Sequence, residues 1–294
     1  MKITVTGSLG NISKPLAQQL IKDGYSVTII SSDENKQVQI EALGAIAAIG
    51  SIEDVAFLTQ AFSGADAVYT MVPPNLTTND MRAYYVRIGS NYATAIKATG
   101  IKQVVLLSSM GAHLEEGTGP ILGIHDVEAI FNRLTGVNIT YLRPSFFYTN
   151  FFNYVPMIKG MGILGDNFGD TDRVIFVSPK DIATAAADAL EHPVAGKQIR
   201  YVVSDEYTGN EAAAILGKAI GNPELKWLRF SDADTLQGLQ QAGLPQHASE
   251  KFVEMGQAAR SGALWQDYDL HKAETFKGIT KLEDFAREFA QAFN

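Results

Sequence analysis

Short apolar runs alternate with stretches of helical period through the first half of the chain. The runs KITVTG (2–7), YSVTIIS (25–31), AIAAIG (45–50), DAVYTMV (66–72), KQVVLLSS (102–109) and NITYLRP (138–144) are rich in Val, Ile and Thr and read as strands. Between them, residues 12–23, 34–43, 52–62, 78–99 and 123–135 space their apolar side chains at helical intervals. Several close on a glycine, at Gly24, Gly44, Gly64, Gly100 and Gly136. Strands separated by helices pair in parallel, and right-handed crossovers stack the helices on both faces. The pattern therefore predicts an α/β fold with a doubly wound parallel sheet.

The rhythm breaks after Pro144. An aromatic stretch, SFFYTNFFNYVPMI, is followed by a glycine-rich one, GMGILGDNFGD, as if the sheet had ended. Beyond it the chain offers a helix in DIATAAADALEH, read with an Asp cap, a strand in KQIRYVVS, and helices near 208–220, 231–242, 245–260 and 281–293. Residues 1–150 are thus expected to form a Rossmann domain. Residues 151–294 are expected to form a smaller α+β lobe for substrate or partner, packed at the C-terminal edge of the sheet, where such folds bind ligands.

The first strand runs into TGSLGNIS, with glycines at Gly7 and Gly10 and a serine, Ser13, where a third glycine is usual. Gly7 allows the tight turn, and Gly10 lets the backbone approach a pyrophosphate seated on the following helix N-terminus. The third position serves helix–strand packing, so Ser13 should displace the helix only slightly. A glycine turn in a βα unit can also bind nothing, but this one stands between a first strand and a helix, the context a dinucleotide requires. SSDENK, after the second strand, gives mixed signals on which dinucleotide. Asp33 and Glu34 suit the ribose hydroxyls of NAD, whereas Ser31, Ser32 and Lys36 suit the 2′-phosphate of NADP, and the balance leans to NADP. The same segment also reads as a helix cap, through Ser32 or Asp33.

Composition narrows the chemistry. The chain has no Cys, which excludes thiolate catalysis, disulfides and Cys-ligated metals. Its five His are scattered, with no metal-binding spacing, and neither a Gly-x-Ser-x-Gly elbow nor a P-loop is present. A formal net charge of −8, with no basic run, argues against nucleic acid and anionic lipid. No leader or long apolar span is evident, so a cytoplasmic protein with a small-molecule partner is expected.

With VTGSLGNIS, ALGAIAAIGSIED, GADAVYTMVPP, VVLLSSMGA, LRPSFFYTNFF and VSPKDIATAAADAL in order along it, the chain resembles the NmrA-like family of atypical short-chain dehydrogenases/reductases over nearly its whole length. The resemblance implies NAD(P) bound at Gly7, Ser8, Leu9, Gly10, Asn11 and Ile12, with Ser31, Ser32 and Lys36 near the adenosine ribose. It also implies Ser51 and Ile52 near adenine, and Met71, Val72 and Pro73 beside the nicotinamide half. Ser108 and Pro144, at the ends of the fifth and sixth strands, complete the set. The superfamily's Tyr-x-x-x-Lys pair is absent, with His125 in the Tyr place and Ala129 in the Lys place.

Two functions follow. One is an oxidoreductase passing hydride from NAD(P)H to a small, apolar or planar acceptor such as a quinone. The other is a non-enzymatic redox sensor that reports to a protein partner. For the first, His125 and Ser108 are the catalytic candidates: an imidazole can hold or donate a proton near neutrality, and a strand-end hydroxyl can hold a substrate oxygen. Asp126 and Glu128, flanking His125, read as exposed helix charges. Phe146, Phe147, Tyr148, Asn150, Phe151, Phe152 and Tyr154 are too aromatic for a solvent loop. Part of that stretch is expected to pack between the lobes, and Phe147, Tyr148, Asn150 and Phe151 are expected to line a pocket for a flat ligand.

Overall fold

A computed structural model describes residues 1–293. The first half follows the predicted alternation: β1 (Lys2–Val5), α1 (Ser13–Lys22), β2 (Ser26–Ser31), α2 (Gln37–Ala42), β3 (Ile46–Ile49), α3 (Val55–Phe62), β4 (Ala67–Thr70), α4 (Met81–Thr99), β5 (Gln103–Leu107), α5 (Ile121–Phe131) and β6 (Asn138–Pro144). The second half adds β7 (Phe146–Phe147), α6 (Val155–Met161), β8 (Leu164–Asp166), β9 (Arg173–Val177), α7 (Pro179–Glu191), β10 (Lys197–Val203), β11 (Asp205–Thr208) and α8 (Gly209–Ala219). It ends with β12 (Trp227–Arg229), α9 (Asp232–Gln241), α10 (Gln246–Arg260), α11 (Gln266–Leu270), β13 (Phe276–Lys277) and α12 (Leu282–Ala290).

Eight strands form one parallel sheet in the order β13-β10-β6-β5-β4-β1-β2-β3. Its strand alternation sends side chains to two cores. Val104 and Leu106 of β5 join the core under α3, α4 and α5, while Val105 and Leu107 join Leu16, Leu20, Ile182 and Leu190 under α1 and α7. Each such fully buried aliphatic side chain contributes about 1.5–3 kcal/mol. α4 and α5 approach closely because Gly89 and Gly123 face the other helix: a Cβ on Gly123 would lie 2.6 Å from the Tyr85 ring, and one on Gly89 2.8 Å from Val127.

Residue 150 does not divide the sheet. β10 pairs with β6 and β13 pairs with β10, so the second half of the chain returns twice to the main sheet, and α7 covers it beside α1. The reason is that KQIRYVV buries Tyr201, Val202 and Val203 and needs two neighbours. Nor does the sheet structure stop after Pro144. RVIFV, hidden behind the glycine-rich stretch, forms β9 between β7 and β11, and β8 pairs with β12. The cap of α7 is Ser178, which accepts from Lys180 N, and not Asp181. Asp181 is buried and instead accepts from Ser204 Oγ (2.6 Å), Thr280 N (3.1 Å) and Thr280 Oγ1 (3.0 Å), tying the segment before α12 to the sheet. Among the described residues, no helix is long and apolar enough to cross a membrane.

Candidate active site

The turn between β1 and α1 is held from three sides. Gly7 has φ +92°, and Ser8 N donates to Ile30 O (3.0 Å) on β2. Ser13, buried at the first position of α1, donates its hydroxyl to Thr6 O (2.7 Å). A Cβ on Gly7 would lie 2.5 Å from that Ser13 oxygen and 3.1 Å from Met71, and one on Gly10 would lie 3.0 Å from Gly7 O. Ser13 therefore fills the space beneath the turn, the packing role assigned to the third position. α3 and α4 are capped by Asp54 and Asp80, but α1 has no side-chain cap and no acid in its first turn. Among the described residues, the N–H groups of Asn11, Ile12 and Ser13 meet no acceptor. With Gly10 and Asn11 exposed beside them, these donors and the helix dipole suit a phosphate group.

Around this turn the candidates gather at the C-terminal ends of β1, β2, β3 and β4. Ser8 Oγ donates to Ser31 Oγ (2.9 Å), and Asp33 accepts from Asn35 N (3.0 Å) as the cap of a short 3-10 turn. Lys36 makes no ion pair among the described residues, and Ser32 is exposed. Ser51 and Ile52 follow β3, where Asn91 Nδ2 donates to Ile52 O (3.2 Å). Met71 is pinned by Thr6 Oγ1, which accepts from Met71 N (2.9 Å), and by Tyr92 OH, which donates to Met71 O (2.9 Å). Val72 is buried and Pro73 half-buried beyond it. The loop after β5 is laced to β6 by Ser108 N to Leu142 O (2.7 Å) and Met110 N to Pro144 O (2.8 Å). His125, half-buried on α5, meets Ala112 O of that loop through Nδ1 at 2.9 Å.

Glu128 is not an exposed helix charge. It is 6% exposed and receives Arg143 from β6 in bidentate fashion, Nε to Oε1 at 3.0 Å and Nη2 to Oε2 at 2.7 Å, together with the Ser108 hydroxyl. Arg143 Nη1 reaches on to Asp267 Oδ2 (3.1 Å) on α11 and to Tyr201 OH (3.3 Å) on β10. Burial opposes the Arg143 charge, but the Glu128 hydrogen bonds and charge outweigh it and hold the guanidinium above its ordinary value. The Ser108 hydroxyl is thus engaged within this network. Asp126 is only partly exposed, paired with Arg82 of α4 (Nε to Oδ2, 2.5 Å), which lowers its carboxyl below the ordinary range.

Two of the expected pocket residues belong to a core. Tyr148 and Phe151 are fully buried. Phe151 packs against Phe146, Phe176 and Trp227, and Tyr148 OH donates to Asp205 Oδ2 (2.7 Å). The aromatic stretch supplies the interior between the β11-β9-β7 sheet and α12, because Phe176 of β9, Trp227 of β12 and Phe285 of α12 present further rings to it. Phe147 and Asn150 remain partly exposed. Sequence reasoning passed over Arg143, Tyr201 and Asp267, and also His113. The His113 ring is half-buried after Ala112, with an Nδ1 that has no partner among the described residues.

The family model that matches this chain, the NmrA-like family, covers residues 1–286. A (4-alkanoyl-5-oxo-2,5-dihydrofuran-3-yl)methyl phosphate reductase of Streptomyces griseus is 27% identical, with 99% of each chain covered. An NAD(P)H azoreductase of Xenophilus azovorans is 25% identical, again with 99% of each covered. An NADPH-dependent quinone oxidoreductase of Escherichia coli, solved in complex with NADPH, shares the fold at TM-score 0.82 and 22% identity, over 98% of this chain and 99% of its own.

Proposed function

The chain belongs to the NmrA-like family, and from that premise we propose that it is an NAD(P)H-dependent reductase acting on a small planar acceptor such as a quinone. The observation that carries this reading is the uncapped start of α1 beside Gly7 and Gly10, where free N–H groups await a pyrophosphate. Ser8, Leu9, Asn11 and Ile12 line that turn. Ser31, Ser32 and Lys36 sit where the adenosine ribose would lie, Ser51 and Ile52 by the adenine, and Met71, Val72, Pro73, Ser108 and Pro144 toward the nicotinamide. The lean to NADP draws support from Asp33, which is occupied as a cap, and from Lys36, which makes no ion pair among the described residues. When bound, the reduced nicotinamide supplies a hydride, and a quinone that takes it needs one further proton from solvent to leave as the hydroquinone.

The protein's own part is to bind and orient. A carbonyl only accepts, so His125 carries its proton on Nδ1 toward Ala112 O, and in the neutral ring Nε2 is an acceptor. That nitrogen can hold a hydroxyl of the reduced product, and it donates only when the ring is protonated. Ser108 supports Glu128, and Phe147 and Asn150 stay available to a flat ligand. The test is NADPH oxidation by the purified protein against a panel of quinones and azo dyes. Acceptor-dependent loss of NADPH absorbance is expected. Tight NADPH binding without turnover on any acceptor would favour a redox sensor, a reading suggested by His125 and Ala129 standing where a Tyr and a Lys are usual.

A further inference from the structure

The loop after β5 places a second imidazole beside the first. Ala112, whose carbonyl meets the His125 ring at 2.9 Å, is followed at once by His113, so both imidazoles belong to the same stretch of the loop and its contact with α5. The loop is stiff. Ser108 and Met110 bond to the end of β6, Ala112 N donates to Ser109 O (3.1 Å), and Leu114 N donates to Gly111 O (3.0 Å). Gly111, at φ +87°, sits under Leu264, where a Cβ would come within 2.6 Å of that side chain. His113 is therefore held at the C-terminal edge of the sheet, the side on which doubly wound folds carry ligands.

The tautomers of the two rings follow from their partners. His113 Nδ1 is buried and has no hydrogen-bond partner among the described residues, and a buried N–H without an acceptor costs more than it returns, so the proton belongs on Nε2. We propose that His113 is an acceptor-binding residue of this reductase, a neutral imidazole whose Nε2–H donates to a carbonyl oxygen of the planar acceptor while His125 Nε2 faces the same ligand as a hydrogen-bond acceptor. The charged and titratable groups around His113 are Asp267 of α11, Arg143 of β6, and Glu128 and His125 of α5. Burial lowers the imidazole below its ordinary value. Asp267 and Glu128 work against that, and Arg143 and His125 work with it. Arg143 is itself held by Glu128 and Asp267, so the acids beneath His113 are largely spent on the guanidinium. A neutral donor of this kind polarises a carbonyl without bringing a second cation into the site.

The inference rests on the reductase reading, and its experiment keeps the two apart. Binding of menadione to the NADP⁺ complex, in which no turnover is possible, is measured by calorimetry for the parent, His113→Phe and His113→Gln. NADPH affinity and thermal stability are measured in parallel. His113→Phe is expected to weaken menadione by about tenfold, the worth of one hydrogen bond to a carbonyl, and to leave NADPH affinity unchanged. His113→Gln, whose side-chain amide can place an N–H near the same point, is expected to restore most of that loss. Menadione binding by His113→Phe equal to the parent's overturns the assignment, as does equal weakening in both variants or no menadione binding by the parent. A parent that binds menadione as predicted but never oxidises NADPH overturns the reductase reading and leaves the His113 contact standing.

Discussion

Ser13 was legible as a packing residue because a small side chain after a glycine turn has only the strand beneath it to touch. Its hydroxyl donates to Thr6 O inside the protein. Ser13→Gly should therefore cost about 1 kcal/mol of stability in urea unfolding, through the lost hydrogen bond and the added chain freedom. NADPH affinity should stay within about threefold. A tenfold gain in affinity would mean that Ser13 obstructs the phosphate site. On the proposed reading, Lys36 is the residue that would separate the two dinucleotides. Lys36→Ala is expected to weaken NADPH several-fold, about 1 kcal/mol, with little effect on NADH. Equal losses for both, in parallel titrations, would remove it from the 2′-phosphate. His113 and Arg143 escaped the sequence because nothing periodic marks them. A loop histidine reads like any solvated one, and an arginine in NITYLRP announces no partner until α5 is laid against β6.

Glu128 shows why, at the scale of elements, helix charges mislead. It lies between Val127 and Phe131, both fully buried, and so on the inner side of α5, where only a cation from the sheet can balance it. Glu128→Ala should cost about 3–5 kcal/mol, because Arg143 would be left buried and poorly paired, whereas the double variant with Arg143→Met should recover much of that loss. A single-variant loss below about 1 kcal/mol in urea unfolding would contradict the buried pair. Another tie joins α9 to α10. Hydrogen bonds from Arg260, then Asn167 and Gln257, lower the Asp232 carboxyl from its ordinary 3.8 to about 2. The folded value lies below the unfolded one, so this contribution is complete above pH 3.8 and drains away as pH falls toward about 2. Asp232→Asn should flatten the stability curve in that acid window and leave its slope near neutrality alone. The strands and helices of the first half were readable because each repeats a period. β8, β9 and β12 were not, being short runs whose partners come from distant parts of the chain.

At the scale of the molecule, the alternating pattern gives a parallel sheet whose C-terminal edge gathers the glycine turn after β1, the segment after β4, the loop after β5 and His125. The second half does not stand apart as a lobe. It closes the sheet with β10 and β13 and brings Tyr201 and Asp267 onto Arg143, so the site's support comes from both halves. Return of a strand to a sheet over a long separation leaves no local mark, which is why the sequence pattern alone suggests a boundary at 150. The central claim is that a nicotinamide dinucleotide lies on the start of α1. Gly10 is exposed, yet a Cβ there would already crowd Gly7 O at 3.0 Å, and a branched side chain would cover the free N–H groups as well. The deciding measurement is calorimetric NADPH binding by the parent and by Gly10→Val, with cooperative unfolding checked for both. The account predicts binding by the parent and its loss by at least about a hundredfold in the folded variant, some 3 kcal/mol. Equal affinity in the two proteins would contradict it.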